Sequence, residues 1–217
     1  MRLSRIAFSQ SIRYLSISTD DIYRLIGTLK DKYSFLEGPQ KVKEYDLNDG
    51  INLYGGTFIR EFRVSIDKCA IFTNGLVVET QVPVETADQL IDEISNWLFE
   101  NGSATVGQWE KAPRSYFSRL EVEMNLDWAK ISNQLDPLTS FINERLATYG
   151  NPPINFGLVG MNVHADVSQY PYPRPFPFSL TRRENAAYGD NIYNSASPLQ
   201  TADHMNALEL MERTYGA

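Results

Sequence analysis

The sequence predicts an α+β protein built from two β-α-β-β-β-α half-repeats that share one antiparallel sheet, with the helices on one face. Three observations carry that expectation. Stretches of period two alternate with stretches of period 3.6 along the chain. An Asn-Gly pair at 74–75 separates two β-rich runs. The segment "PVETAD" from Pro83 returns as "PLQTAD" from Pro198, each just ahead of a helical pattern.

The elements follow in order. In "SIRYLSIS", Arg13, Leu15 and Ile17 alternate with Tyr14, Ser16 and Ser18, which predicts a strand over about 11–18. Thr19 or Asp20 then provides a helix cap. Ile22, Leu25, Ile26, Leu29 and Tyr33 fall on one helical face, and Gly38-Pro39 ends the element. Weak strands are expected near 42–47 and 51–54. "FIREFRVSI" reads as one strand, with Phe58, Phe62, Val64 and Ile66 inward and Ile59, Glu61, Arg63 and Ser65 outward. "KCAIFTNGLVVETQV" reads as a hairpin turning at Asn74-Gly75, a pair that tolerates the positive φ of a two-residue turn. Pro83 closes the strand, and Thr86 is expected to cap a helix whose buried stripe is Leu90, Ile91, Ile94, Trp97 and Leu98.

A polar, Gly-containing stretch after Asn101-Gly102 predicts a linker, and beyond it the order repeats. Leu120, Val122, Met124 and Leu126 alternate with Arg119, Glu121, Glu123 and Asn125 in a strand over 117–126. Asp127 opens a helical pattern through Trp128, Ile131, Leu135, Leu138, Phe141, Ile142, Leu146 and Tyr149, which Pro137 should break. Strands are expected at about 154–165, 175–182 and 191–197. Thr201 should cap a last helix with Met205, Leu208, Met211 and Tyr215 inside. The matching order of elements argues for one pseudo-duplicated domain over 1–217: half-repeat one at 9–102, a linker at 103–114, half-repeat two at 115–217. In topology alone this is similar to the TATA-binding-protein-like fold. No sequence motif accompanies that analogy, so the fold's DNA readout does not transfer.

Composition bounds the function. The 217 residues are 42% apolar and 12% aromatic, enough to fill a core. No apolar run approaches the roughly 20 residues of a bilayer-spanning helix. Net charge is −7, with 15 acidic and 11 basic residues before residue 108 and 12 and 9 after it, so neither half attracts nucleic acid by bulk charge. The single Cys69 forms no intrachain disulfide and reads as a buried apolar residue. A reducing, cytoplasmic location is expected. Residues 1–18, with Arg2, Arg5, Arg13, five serines and no acid, keep organellar import open.

Candidate chemistry is sparse. Neither zinc-ligand spacing, nor a phosphate-binding loop, nor a nucleophile elbow occurs, and no cofactor or metal is expected. His164 and Asp166 of "NVHADV" are the candidates for a base and its orienter, because i and i+2 on a strand share a face. His204, at a helix start, reads as a surface or capping residue. Glu121/Glu123 and Asp20/Asp21 read as solvated pairs. "QYPYPRPFPFSL" stands out, because proline stiffens an extended segment that offers Tyr170, Tyr172, Arg174 and Phe176 as an aromatic arm. Glu61, Arg63, Arg119, Glu121 and Glu123 are the outward residues of a half-solvated sheet. The expected function is therefore a non-catalytic protein-interaction or assembly protein that uses this sheet face and this arm, with a protein partner or self-association. The alternative is a small-molecule-binding or hydrolytic protein with a cleft between the halves.

Overall fold

A computed structural model describes residues 1–17, 22–60, 62–101, 114–149, 158–166, 168 and 175–216. Among these residues eight strands are formed: β1 (Arg2–Tyr14), β2 (Ile51–Ile59), β3 (Arg63–Phe72), β4 (Gly75–Thr80), β5 (Arg114–Glu123), β6 (Gly160–Val163), β7 (Phe178–Arg182) and β8 (Ile192–Ser197). Among the described residues there are five α-helices: α1 (Ile22–Lys32), α2 (Val84–Glu100), α3 (Trp128–Ser132), α4 (Asp136–Thr148) and α5 (Thr201–Tyr215). The strands make one sheet in the order β2-β3-β4-β1-β5-β8-β7-β6. Every neighbouring pair is antiparallel. The fold is α+β.

β1 and β5 form the centre, paired from Arg2↔Glu123 to Arg13↔Arg114 with register shifts between Leu3 and Arg5 and between Ile6 and Phe8. From this seam outward, the strands run β1, β4, β3, β2 on one side and β5, β8, β7, β6 on the other. Of the alternation expected at residues 11–18, Arg13, Leu15 and Ile17 are buried, but the strand runs from Arg2 to Tyr14 only, and Ser18 lies outside the described residues. Polar serines and arginines there hide strand character, because the ladder of the two flanking strands, rather than apolar side chains, fixes the segment.

Helices α1, α2, α3 and α5 cover one face. Leu25, Ile26 and Leu29 of α1 and Tyr33 just after it pack with Leu90, Ile91, Ile94 and Leu98 of α2 over β2–β4, in a core of 22 buried residues among those described. A second core of eight, including Trp128, Leu180, Tyr193 and Leu208, lies over β5, β7 and β8. Sealing both faces would leave no wet side; the opposite face carries the half-solvated residues that an antiparallel sheet tolerates.

Several local expectations are corrected. Residues 42–45 form a short 3-10 turn, not a strand. "FIREFRVSI" is not one strand: the chain reverses between Ile59 and Arg63, so Phe58 pairs with Val64 and Phe62 is left exposed. Period two cannot mark this reversal, because both arms alternate with the same phase. The 69–80 hairpin forms, but Phe72 pairs with Gly75, so its two turn residues are Thr73 and Asn74. Gly75 is required for closeness rather than for positive φ: a Cβ there would lie 2.5 Å from the Arg13 carbonyl oxygen. Pro137 does divide the long helical pattern, which becomes α3, a 3-10 turn at Asn133–Leu135, and α4. Leu135, Leu138, Phe141 and Tyr149 are exposed, however, not inside. β6 is confined to Gly160–Val163, and residues 150–157 lie outside the described residues.

Candidate functional site

The sheet face without helices is built by the outward phase of the central strands. Phe8 of β1 stands opposite Arg119 of β5. The Phe8 and Phe117 rings meet edge to face at 5.9 Å, and the Phe176 ring lies 4.7 Å from that of Phe117. The Arg119 guanidinium sits 5.8 Å over the Phe117 ring. Toward one end the face turns ionic. Arg2 pairs with Glu123 at 3.7 Å and Arg183 with Glu121 at 3.4 Å. The sequence-predicted Arg119, Glu121, Glu123 and Phe176 therefore share one surface. Arg63 lies toward the far edge on β3, donating to the Thr57 hydroxyl at 3.3 Å. Glu61, Tyr170, Tyr172 and Arg174 lie outside the described residues.

His164 and Asp166 are both exposed. β6 ends at Val163, so the pair is beyond the strand that was to align them. Asp166 serves its own loop, accepting the Ser168 N–H at 3.0 Å and the Ser168 hydroxyl at 2.7 Å.

The other histidine is not the surface or capping residue that its place at a helix start suggests. His204 is fully buried on the inner side of α5. Its Nδ1 lies 2.6 Å from the Ser118 hydroxyl of β5, and its Nε2 lies 2.8 Å from the Ser195 hydroxyl of β8. Ser195 gives its only proton to the Ser179 carbonyl at 2.8 Å. Nε2 must then carry the ring proton, and Ser118 must donate to Nδ1. Burial pushes the imidazole down to about 4, so the ring is neutral. With no carboxylate in this hydrogen-bonded chain and no opening to it, the arrangement ties α5 to two strands. A signal existed: in the α5 helical phase, residue 204 precedes the inward Met205 and sits four before Leu208.

A second polar group bridges the halves on the helix side. Arg13 of β1 and Arg114 of β5 are register partners, and two carboxylates of α2 lie against them. Asp92 pairs with Arg13 and, at 2.9 Å, with Arg114; Asp88 pairs with Arg114. Asp88 also accepts the Ser11 hydroxyl at 2.9 Å and the Tyr116 hydroxyl at 3.3 Å. Burial and the adjacent Arg114 pull the Arg13 guanidinium below its ordinary value. The group is two cations against two anions, a closed network with no spare charge.

Three cavities are lined by residues 37–96. One of about 530 Å³ is an acidic recess beside β2 lined by Glu37, Glu44, Asp46, Asp49, Lys43 and Tyr54 among others. Two smaller ones, about 180 and 230 Å³, share Arg60 and Gln89. His164 lines none of the three. Among the described residues no group of three or more His, Cys, Asp or Glu side chains is arranged to hold a metal ion. Cys69 is buried and its thiol is pushed up to about 12, so it stays protonated. No described helix is long and apolar enough to cross a membrane. No protein-family model matches the chain. No curated protein matches it in sequence.

Proposed function

We propose that the protein is a non-catalytic interaction or assembly protein, and that its contact surface is the open sheet face together with the 170–178 arm. One observation carries the reading: the end of the arm already rests on that face, with Phe176 against Phe117 and Phe117 against Phe8. Half-exposed aromatic rings flanked by arginine are the composition of contact surfaces, where large rigid side chains give area at low entropic cost. The ionic end, Arg2–Glu123 and Arg183–Glu121, fits a polar rim. The alternative, a small-molecule or hydrolytic site in a cleft between the halves, gains no support from the cavities, whose walls run from residue 37 to residue 96.

We also infer an internal duplication with topology like that of the TATA-binding-protein-like fold. Its support is the strand sequence outward from the seam and the meeting of the two Thr-Ala-Asp helix starts. There the Val84 N–H donates to the Thr201 hydroxyl at 2.9 Å, and the Ala202 N–H to Glu85 at 2.9 Å.

Replacement of Phe117 and Phe176 by Ser tests the contact surface. The double variant should lose assembly in light scattering, or a captured protein in pull-down, while its far-ultraviolet circular dichroism stays that of the wild type. Retained assembly with a lowered melting temperature would make the rings ordinary packing and sink the reading.

A further inference from the structure

We propose that the cavity between the β2–β3 reversal and the start of α2 binds a small monocarboxylic acid, with Arg60 holding the carboxylate and Phe58, Phe62 and Val64 enclosing a short apolar body. The cavity lies on the helix side of the first half, so the inference goes beyond the contact surface proposed above and does not rest on it.

The cavity follows from the way the chain turns. Phe58 and Val64 are register partners on the helix side of β2 and β3, and each is 3% exposed. They are the last inward pair before β2 ends at Ile59. Beyond them the chain reverses, and Arg60 reaches α2, donating from Nη1 to Oε1 of Gln89 at 2.8 Å. A space of about 180 Å³ remains, walled by Phe58, Phe62 and Val64 and by Arg60, Thr86 and Gln89. That is below the roughly 300–1,000 Å³ of pockets for drug-sized ligands, so only a small body fits. Phe62 is 57% exposed, an apolar wall left wet. A ligand body that covers the ring gains the hydrophobic term that the chain alone leaves unused.

The polar wall asks for an acceptor. Arg60 takes the Gln89 side-chain carbonyl oxygen, which leaves that amide two N–H donors to offer. Thr86 adds a hydroxyl that can donate. Arg60 is the one charged residue among the described walls, and its guanidinium keeps donors beyond the one that Gln89 engages. A carboxylate offers only acceptors, and a guanidinium meets it with two parallel N–H bonds. The neighbouring space of about 230 Å³ limits the ligand to one negative charge. It shares Arg60 and Gln89 and adds Asp92, Glu93 and Asn96. Asp92 is held by Arg13 and Arg114, and Glu93 by Lys32 at 3.0 Å and the Tyr33 hydroxyl at 2.9 Å, so both carboxylates are engaged elsewhere. Their charge still lies close to Arg60, which acts on Glu93, and it would repel a dianion such as phosphate. One carboxylate on a short apolar body satisfies the donors, the charge and the volume together.

Titration of the full chain with butanoate, 3-methylbutanoate, hexanoate and benzoate, read by isothermal calorimetry and by amide chemical shifts, decides the matter. At least one of the acids should saturate a single site and move the Thr86 and Gln89 amides. Its neutral amide, 3-methylbutanamide in the case of 3-methylbutanoate, should bind about ten- to hundredfold more weakly, because the charge-assisted bonds are lost. Arg60→Gln should weaken the acid by a similar factor and close the gap between acid and amide. Phe62→Ser should weaken acid and amide alike. Both side chains are exposed, so the circular dichroism and melting temperature of each variant should match wild type, which separates lost binding from lost fold. Failure of all four acids to bind, equal affinity for acid and amide, or binding that is unmoved by either variant would each overturn the site. Assembly through Phe117 and Phe176 is a separate readout, and its loss would remove the proposed function while leaving this site.

Discussion

A neutral imidazole held between two serine hydroxyls has no acceptable way to gain a proton. Protonation of His204 would turn Ser118 from donor to acceptor and place a charge where Phe178 and the fully buried side chains around it offer no counter-ion. Ser118 could redirect its hydrogen to the Leu199 carbonyl at 3.2 Å, so the hydrogen bonds can be rearranged, but the buried charge cannot be solvated. The folded-state value of about 4 lies below the ordinary 6.5. A lowered folded value means that the unfolded chain binds the proton more readily. The stabilisation is therefore complete above pH 6.5, falls as pH drops through the window to about 4, and is gone below it; it amounts to about 3 kcal/mol at most. Denaturation midpoints of wild type should drop between pH 7 and pH 4.5. His204→Asn should be less stable at pH 7 but should lose less over the same interval. Parallel pH profiles for the two proteins would mean that the ring titrates freely.

At the scale of elements, the two Thr-Ala-Asp starts have different jobs. Neither threonine is an N-cap: α2 follows Pro83 and α5 follows Gln200, and neither of those residues makes a side-chain cap bond. Thr201 instead accepts the N–H of Val84, a buried donor at the start of the other helix. Thr201→Val should cost about 1–2 kcal/mol, since it leaves that donor unsatisfied, whereas Thr86→Val should stay within about 0.5 kcal/mol. Equal losses in urea denaturation would restore the symmetric capping role. The contrast also marks what the sequence can reveal. Helical period and alternation give α1, α2, β4 and β5, because one buried face repeats locally. The reversal at residues 60–62, the partner of Thr201 and the burial of His204 depend on what comes from more than a hundred residues away or from another strand, and no local period encodes them. The surface is legible in part: Arg119, Glu121 and Glu123 follow from alternation, but Phe8 and Phe117 were missed. Phe8 precedes the stretch where alternation was legible, and a β1 register shift sits between Ile6 and Phe8.

The whole molecule joins two cores through a polar seam. On the helix side of the centre, β1 contributes Ser9, Ser11 and Arg13, and β5 contributes Arg114, Tyr116 and Ser118, so the apolar packing of the first strand and the residue before it into the second core is confined to Met1, Leu3 and Ile6. Along this polar stretch the halves are coupled by the β1–β5 ladder and by α2, whose Asp88 and Asp92 hold one arginine from each central strand. Without those carboxylates, Arg13 and Arg114 would face each other as like charges across the ladder. Breaking a buried ion pair from one side costs about 3–5 kcal/mol, and partial exposure of Asp92 and Arg114 reduces that to about 2–3 kcal/mol. The loss would fall on the junction, while each half keeps a buried core of its own. Opening should then become sub-global rather than cooperative. Hydrogen exchange of Asp88→Asn/Asp92→Asn should accelerate amides of β7, β8 and α5 far more than those of β3 and β4. In wild type the two groups should exchange at rates closer to each other. Uniform acceleration across both halves would show that the ladder alone carries the coupling, and that the two aspartates merely neutralise charge.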